Sequence, residues 1–446
     1  MMNIKQAVVS CVCLSLPLFF LSPAQTVFAA DITVDSNCSL ADAITSANAD
    51  AATGSCPAGQ GADTIHLSGD ITLAAELPQI ASEITIEGGQ NMISGDDAYR
   101  IFGVANGRLK LHQLIVMHGA AERGGAIIND GVVIIIDSSF ISNTAERNGG
   151  AIANFGELNI VDSSFVSNSA GLFGGAIFTR NELTISDSSF FYNSTYGNGG
   201  AIHNHVGQLG VADSSFSGNL AEKSGGAIDN HGERDVGNAQ LSITGSAFFG
   251  NIAKISGGAI SSNNYGTLDI SNSSFAINGA NFFGGAVSSF GDLSVANSTF
   301  ASNSAKRYAG AVLVFGTGAS TLAHLTVANN RSKEGGGIFV LHKDTALNLY
   351  NSLIVGNDGG DCNGVLNQSS ANLIADGSCE PALSGDPLLG ALVVPEDGSP
   401  AYLPLLPDSP AIDAAHPEHC TATDQTGAAR TQGAACDIGA VEFKGE

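Results

Sequence analysis

The stretch Gly149 to Asn168, GGAIANFGELNIVDSSFVSN, decides the fold, because it is one copy of a unit that recurs through the middle of the chain. Its first signature is Gly-Gly-Ala-Ile or a close relative, and its second is Phe-x-x-Asn; both recur in step, usually every 25 residues. A fixed period of this size predicts a solenoid of stacked coils. The first signature begins at Gly124, Gly149, Gly174, Gly199, Gly225, Gly257 and Gly284, with degenerate copies at Ala309 and Gly335.

Each repeat has room for three short strands and three corners. Apolar residues alternate with period two, as at Leu158 and Ile160, which is typical of strands. Asp162 marks one corner, and the glycine pair at Gly149 allows another where a side chain would be costly. Successive coils would then stack as parallel strands about 4.8 Å apart.

Stacking places equivalent residues on one another, so the repeated Phe positions predict an internal aromatic ladder and the Asn positions a ladder of amides. The amides could satisfy one another inside the core. We therefore expect an all-β protein, a single right-handed parallel β-helix of coils of about 25 residues with a helical N-terminal cap. A leucine-rich horseshoe is the alternative, but its leucine spacing is absent.

The N-terminus predicts export. Residues 1–29 combine Lys5, an apolar run and Val27-Phe28-Ala29, which has the form of a signal-peptide cleavage site. A membrane anchor is the alternative, but the run is short. No later segment is apolar enough to span a bilayer, so we expect a protein that is not membrane-spanning and is secreted, periplasmic or at the cell surface.

The charge balance limits the partners. The formal net charge is −25, with 17 Lys and Arg in 446 residues and no basic cluster along the sequence. This argues against nucleic acid and anionic membrane surfaces as partners. A cationic partner or a bound divalent metal ion stays compatible with it.

The regular repeats run from 124 to 357, and the sequence on either side of them predicts an N-terminal cap and a C-terminal module. Residues 30–62 form the N-terminal cap, where Ser39 can cap a short helix with Leu40 and Ile44 on one face. Residues 63–377 form the β-helix, and residues 378–446 a C-terminal module. Six cysteines remain after the signal, and although other connectivities are open, loop lengths favour local disulfides. These pairs are Cys38–Cys56, Cys362–Cys379 and Cys420–Cys436.

Two groups of residues are candidate sites. If Ile202 and Asn204 point inward, their neighbours point outward and lie beside equivalent residues of the next coil. Such a group suits a transition-metal ion, although Arg180 in register would disfavour a cation. The predicted metal ligands are His203, His205, Asp229 and His231. The second group is a set of aromatics before the glycine pairs that could stack on sugars or dock a protein: Phe173, Tyr196, Phe282, Phe283 and Tyr308.

A polysaccharide lyase site needs a cluster of acids beside a basic residue that abstracts a proton. The basic residues of the same loop do not show such a cluster, so we name no catalytic residue. Three of them have a neighbouring acid and are interpreted as solvated pairs. The basic residues are Arg123, Arg147, Lys223 and Lys254, and the acids are Glu122, Glu146 and Glu222.

Several motifs resemble known families. The Gly-Gly-Ala-Ile and Phe-x-x-Asn pair resembles the repeats of chlamydial polymorphic outer-membrane proteins, and the coil as a whole resembles the pectate-lyase-type right-handed β-helix. Cys38-Ser39-Leu40 with Ala43-Ile44 resembles the CSLREA motif of secreted bacterial β-helix proteins, with Ala41-Asp42 in place of Arg-Glu. The Asp408–Ala414 and Cys436–Phe443 stretches resemble a choice-of-anchor module, although no anchoring tail is seen after them.

These resemblances imply an exported, non-enzymatic surface or binding protein, such as an adhesin or carbohydrate-binding protein. Its partners would be an extracellular polysaccharide or a protein of a host or cell surface. One alternative is a polysaccharide lyase or hydrolase, which rests only on the activities that other proteins of this fold have. The other is a structural spacer.

Overall fold

The chain forms a long parallel solenoid in the computed structural model, which describes residues 29–263, 265–316, 319–342, 344–430 and 433–445. The expected signal peptide, residues 1–29, lies outside these residues apart from its last position. The described part contains one α-helix, Leu40–Ala49, and one 3-10 helix, Pro417–His419. Every pairing between its strands is parallel, in about 12 turns that fit a right-handed β-helix.

The largest sheet, sheet A, has 25 strands in two columns, because each coil crosses it twice with a corner in between. The first column consists of Asp31–Val34, Asp63–Leu67, Glu83–Glu87, Arg108–His112, Val132–Ile136, Glu157–Val161, Leu183–Ser186, Gln208–Ala212, Ala239–Thr244, Gly266–Ser271, Asp292–Ala301, Ala319–Ala328, Ala346–Tyr350 and Gln368–Ser370. The second consists of Ile71–Thr72, Met92–Ser94, Ile115–Met117, Ser139–Ile141, Ser164–Val166, Ser189–Phe191, Ser215–Ser217, Ala247–Phe249, Ser274–Ala276, Leu353–Val355 and Leu373–Ile374. Asp292–Ala301 and Ala319–Ala328 run through both columns.

Two smaller sheets complete each coil. Sheet B has 11 strands: Phe102–Val104, Ile127–Asn129, Ile152–Asn154, Ile177–Thr179, Ile202–His205, Ile228–His231, Ile260–Ser262, Val287–Ser289, Val312–Val314, Ile338–Val340 and Cys362–Asn363. Sheet C has eight: Ala120–Arg123, Thr144–Asn148, Ser169–Ala170, Ser194–Thr195, Leu220–Ala221, Ile252–Ala253, Gly279–Ala280 and Ser304–Ala305. The chain passes from sheet B to sheet A, then to sheet C, and returns through the glycine pair.

The predicted ladders are confirmed. The phenylalanine rings stack with centroids 4.7–4.9 Å apart and planes within 7°. The stacked rings are Phe140, Phe165, Phe190, Phe216, Phe248, Phe275 and Phe300, all at most 1 % exposed.

The asparagine ladder is a continuous hydrogen-bonded column. Each Nδ2 donates to the Oδ1 of the next coil at 2.9–3.0 Å. Asp361 ends the column by accepting from Asn357 at 2.8 Å. Every rung is therefore a buried amide satisfied by its neighbours, as the sequence predicts. The rungs are Asn143, Asn168, Asn193, Asn219, Asn251, Asn278, Asn303, Asn330 and Asn357.

The corners have the predicted chemistry. Gly149 has φ +65°, and a Cβ on it would lie 2.0 Å from the carbonyl oxygen of Ile152. Only glycine fits there. Asp162, at the corner within sheet A, adopts φ 48°, a left-handed conformation that Asp tolerates better than most residues.

A helix covers the N-terminal end of the solenoid, and disulfides lie near both ends. At the N-terminal end the Ser39 hydroxyl accepts a hydrogen bond from the Asp42 amide at 3.1 Å, and the apolar face of the helix is buried. No described helix is long and apolar enough to cross a membrane. The structure forms the disulfides Cys38–Cys56, Cys362–Cys379 and Cys420–Cys436.

The C-terminal segment folds back along the outer face of sheet A. The amide of Ala401 donates to Ser274 Oγ at 3.0 Å, and the amide of Ala440 donates to Thr326 Oγ1 at 2.9 Å. Arg430, which is 1 % exposed, donates to Asn297 Oδ1 at 2.8 Å. The segment is therefore bonded to several successive coils rather than to the last one alone.

Candidate functional site: an aromatic and histidine cleft

A cleft follows the outer face of sheet B. Its floor consists of the central residues of the strands, and its walls are the loop before each glycine pair and the residues that follow each strand. Two neighbouring cavities of about 280 and about 440 Å³ share the lining residues Asn198 and His231. We call this feature the aromatic–histidine cleft. The first cavity is lined by Arg123, Asn148, Phe155, Phe173, Phe178, Arg180, Asn198, His203, His205 and His231.

The floor of the cleft contains two of the predicted metal ligands. His203 pairs in register with Asp229 of the next coil, and both point away from the core. They are nevertheless only 2 % and 4 % exposed, which corrects the expectation of a solvent-facing patch. Two neighbouring rings cover His203: Phe173 of the wall stacks on the His203 ring at 4.6 Å, and Phe178, its neighbour on the floor, does so at 5.6 Å.

The buried pair is close but imperfectly bonded. Nδ1 of His203 and Oδ2 of Asp229 lie 2.9 Å apart. Their relative orientation does not meet hydrogen-bond geometry, and neither atom has another partner among the described residues. Because an unpartnered buried polar atom is costly, these two atoms are positioned to accept a water or a ligand group.

Two further polar atoms in the first cavity share this property. Arg123 Nε and Asn148 Oδ1 are buried and have no hydrogen-bond partner in the described part of the chain. Both belong to the wall formed by the loop. The cleft thus combines unused donors and acceptors with the rings of Phe155, Phe173 and Phe178.

His205 determines how the cleft responds to pH. Burial is the main cause that lowers its pKa to about 4, and the charges of His203, Arg180 and His231 lower it further. Glu233, whose Oε2 lies 3.2 Å from His205 Nε2, acts in the opposite direction. His205 is therefore neutral at pH 7 and gains its charge only in acid.

The histidines are adjacent, but their rings are stacked. The rings of His205 and His231 lie 5.7 Å apart with planes 8° from parallel, so their lone pairs lie in parallel planes rather than converging. Among the described residues, a group with all ligand atoms within 4.8 Å of one another occurs at His324, Cys420 and Cys436. Those cysteines form a disulfide. Metal binding at the four predicted ligands stays a prediction and would require the rings to rotate.

The five predicted aromatics do not form one surface. Phe173 belongs to the first cavity and Phe283 to the second, and Tyr308 stacks on Phe283 at 5.8 Å. Phe282 points outward and is 48 % exposed. Tyr196 is 74 % exposed and lies two positions earlier in its loop, since its amide bonds to Ala170 O.

Two of the four basic loop residues, Arg147 and Lys254, pair with acids of the preceding coil rather than with their sequence neighbours. Arg147 Nη1 lies 3.3 Å from Glu122 Oε1, and Lys254 Nζ lies 2.7 Å from Glu222 Oε2. Since all four side chains are at least one-third exposed, these pairs contribute little to stability.

Sequence reasoning missed several residues of the cleft. Asn148, Phe155 and Phe178 are not among the predicted site residues, although Phe178 shares the outward column of His203, and the sequence interprets Arg123 as part of a solvated pair. Their signal lay in alignment by column: Asn148, Phe173 and Asn198 are bridged residue to residue across three coils. A side chain that departs from the repeat at such a position lines the cleft.

Parts of the chain are similar to a known repeat. Residues 137–154, 187–205 and 213–231 match the Chlamydia polymorphic membrane protein (Chlamydia_PMP) repeat, and the last two stretches end at His205 and His231. No curated protein matches the chain. The disulfides are typical of an oxidising compartment. The chain is a parallel β-helix whose coils carry repeats like those of the Chlamydia polymorphic membrane proteins.

Proposed function

We propose that this protein is exported, is exposed at a surface, and binds a carbohydrate in the aromatic–histidine cleft. The observation that carries the proposal is the concentration of unused polar atoms in the cleft. Arg123 Nε and Asn148 Oδ1 have no hydrogen-bond partner among the described residues, and His203 Nδ1 has only its misaligned contact with Asp229 Oδ2 at 2.9 Å. All three atoms are buried beside aromatic rings. Sugars fit both features of the cleft, since their C–H faces pack on aromatic rings and their hydroxyl groups donate and accept hydrogen bonds.

The size and charge of the cleft favour an acidic sugar. A cavity of about 280 Å³ lies next to one of about 440 Å³, and together they suit more than one ring of a linear glycan. Arg180 and Arg123 line the first cavity, and the described lining contains no carboxylate there. A guanidinium binds a carboxylate through paired hydrogen bonds, so a negatively charged sugar fits this end.

Replacing Arg180 with alanine is expected to weaken glycan binding at least about tenfold, because a hydrogen bond to a charged group contributes about 1.5–3 kcal/mol. Binding would be found on a glycan array and measured by calorimetry with the acidic glycan it identifies. Arg108→Ala is the matched control, since Arg108 is an exposed arginine on sheet A that pairs with Glu83.

The same binding should strengthen as the pH falls from 6 to about 4. His205 takes up a proton as the pH approaches its pKa of about 4, which adds positive charge beside Arg180. His205→Gln should abolish this trend without removing binding at pH 7. Equal affinity of the original protein and Arg180→Ala for every bound glycan would contradict the proposal.

The same samples test the two alternatives. A polysaccharide lyase would release products with a new double bond, visible by ultraviolet absorbance, from pectin, alginate or a glycosaminoglycan. A spacer would give neither products nor array binding. The proposal expects binding without product formation.

A metal ion in the cleft is a separate prediction with its own readout. If one binds, purified protein should contain it in a one-to-one ratio by elemental analysis. The double variant His205→Ala with His231→Ala should lose it, because two of the four ligands are then gone. Metal content that is unchanged in the double variant would rule this site out.

A further inference from the structure

A straight ridge of basic and apolar side chains runs along the solenoid beside the cleft wall. Its members occupy one position in successive coils, since the amide of Ile255 bonds to Lys223 O at 2.7 Å and the amide of Phe282 to Ile255 O at 3.1 Å. Arg307 follows through a 3.1 Å bond from its amide to Phe282 O. Lys333 continues the line in the next coil, because the residue after it, Glu334, forms a β-bridge with Tyr308, the residue after Arg307. We call Lys223, Ile255, Phe282, Arg307 and Lys333 the basic–apolar ridge.

The ridge is exposed and concentrates positive charge. It spans five coils, about 19 Å at the strand spacing, and all its side chains face solvent. Lys306 and Arg331 lie beside it, although Arg331 pairs with Asp358 at 3.2 Å. Among the described residues, Lys223, Lys306, Arg307 and Lys333 make no ion pair within 4 Å. Two acids are adjacent to them in sequence: Glu222, which pairs with Lys254, and Glu334. This is unusual for a chain with a formal charge of −25.

Large apolar side chains extend the ridge over the outer face of sheet C and its corner. Ile255 and Phe282, within the ridge, are 41 % and 48 % exposed. Ile252, next to them in sheet C, is 51 % exposed, and Ile277 and Tyr192 at the corner are 53 % and 68 % exposed. Soluble proteins rarely leave this many large apolar groups together in water.

We propose that this face docks the protein on an anionic lipid surface. Lysine and arginine bind the phosphate headgroups while Ile and Phe enter the boundary of the acyl chains, and along the ridge two apolar side chains stand between basic ones. Charge complementarity favours lipid, because the ridge presents exposed cations to a negative layer while the acidic groups elsewhere on the protein are screened beyond about 8 Å in physiological salt.

This inference reverses an expectation from the sequence. The cations appear scattered because they recur about once per coil, and anionic membrane surfaces were therefore excluded as partners. Stacking brings Lys223, Arg307 and Lys333 onto one line, which only the coil register shows. The spacing of cations along the sequence does not show which of them the fold brings onto one surface.

The test is cosedimentation of the purified protein with phosphatidylcholine vesicles, with and without phosphatidylglycerol. Binding should require phosphatidylglycerol and should weaken with added salt. Lys223→Gln with Arg307→Gln should weaken it about 25-fold, since each basic residue near an anionic surface contributes about fivefold. Phe282→Ser should also weaken it. Arg108→Gln with Lys110→Gln, two cations of sheet A, should leave it unchanged.

Three outcomes would overturn the inference: no binding to phosphatidylglycerol vesicles, equal binding to both vesicle types, or full binding by the ridge double variant. Ridge-dependent self-association in light scattering without vesicle binding would assign the face to a second copy instead. Arg180→Ala should keep full vesicle binding, so a failure of the cleft proposal and a failure of this one are distinguishable.

Discussion

Replacing Asn219 with alanine is expected to lower the free energy of unfolding by about 4 kcal/mol, because it leaves about three buried groups without partners. Asn219 Oδ1 accepts from both the amide and the Nδ2 of Asn193, each at 3.0 Å. Its own Nδ2 donates to Asn251 Oδ1 and to Phe190 O, each at 2.9 Å. Alanine removes all four bonds at the centre of the ladder.

The loss should exceed that of a single hydrogen bond for a physical reason. Neither water nor another side chain can reach the Asn193 amide or the Phe190 carbonyl, since the ladder is fully buried. An orphaned buried group costs more than the bond it made contributes. Asn219 belongs to a repeat array, so the defect also weakens the interface between two coils, on which the stability of such arrays depends.

Urea unfolding followed by circular dichroism measures this change. Asn159→Ala is the matched control, because Asn159 belongs to an outward column of sheet A and accepts only from Thr184 Oγ1 at 3.1 Å. A loss by Asn219→Ala no larger than that of the control would show that the ladder does not stabilise the stack.

Replacing Arg430 with methionine is expected to lower the free energy of unfolding by about 3–5 kcal/mol, because it leaves a buried carboxylate without its charged partner. The Arg430 side chain is fully buried, and its Nη1 donates to Glu442 Oε1 at 3.0 Å. It also donates to Thr421 Oγ1 at 2.9 Å and to Asn297 Oδ1 at 2.8 Å. The same side chain thus holds the C-terminal segment together and attaches it to the solenoid.

The loss should depend on pH. Burial raises the pKa of Glu442 to about 7, although Arg430 opposes this. A carboxyl whose pKa is higher in the folded than in the unfolded state binds more protons when folded, so stability falls as the pH rises from about 4.5 to about 7. Without Arg430 the pKa rises further, and the variant should be less impaired at pH 5 than at pH 8.

A second substitution separates charge from packing. Arg430→Met with Glu442→Gln should recover part of the stability at pH 8, since the carboxylate that lost its charged partner is then also removed. Arg108→Met, in an exposed pair with Glu83, should change stability by less than about 1 kcal/mol. Thermal unfolding at both pH values gives the comparison, and a pH-independent loss in Arg430→Met would contradict the account.

The repeat explains why so much of the fold could be predicted. Phe165 and Asn168 each recur at a fixed spacing, and only a stacked solenoid places every copy in the same environment. The inward direction of Ile202 and Asn204 follows from the same alternation, and both are fully buried. Local rules of this kind need no long-range information.

The candidate site could be predicted only in part. Alternation correctly placed His203 and His205 on the outer side of their strand, beside Asp229 and His231. It could not show that Phe173 would cover His203, since burial depends on how far a loop rises from the sheet. It also could not show which aromatics line the cleft and which face solvent, because Phe173 and Tyr196 differ by only two positions in loops of similar composition.

By itself, the sequence determined the coil: where it turns, which residues enter the core, and which amides form the ladder. These choices depend on neighbours within one repeat, and the repeat states them many times. Only the tertiary structure decided what happens between coils. The depth of the cleft around His203, the alignment of Lys223 with Arg307, and the attachment of Arg430 to Asn297 all join residues that are distant in the chain. Their proximity is fixed by the stacking register and by the path of the C-terminal segment, which no local pattern encodes.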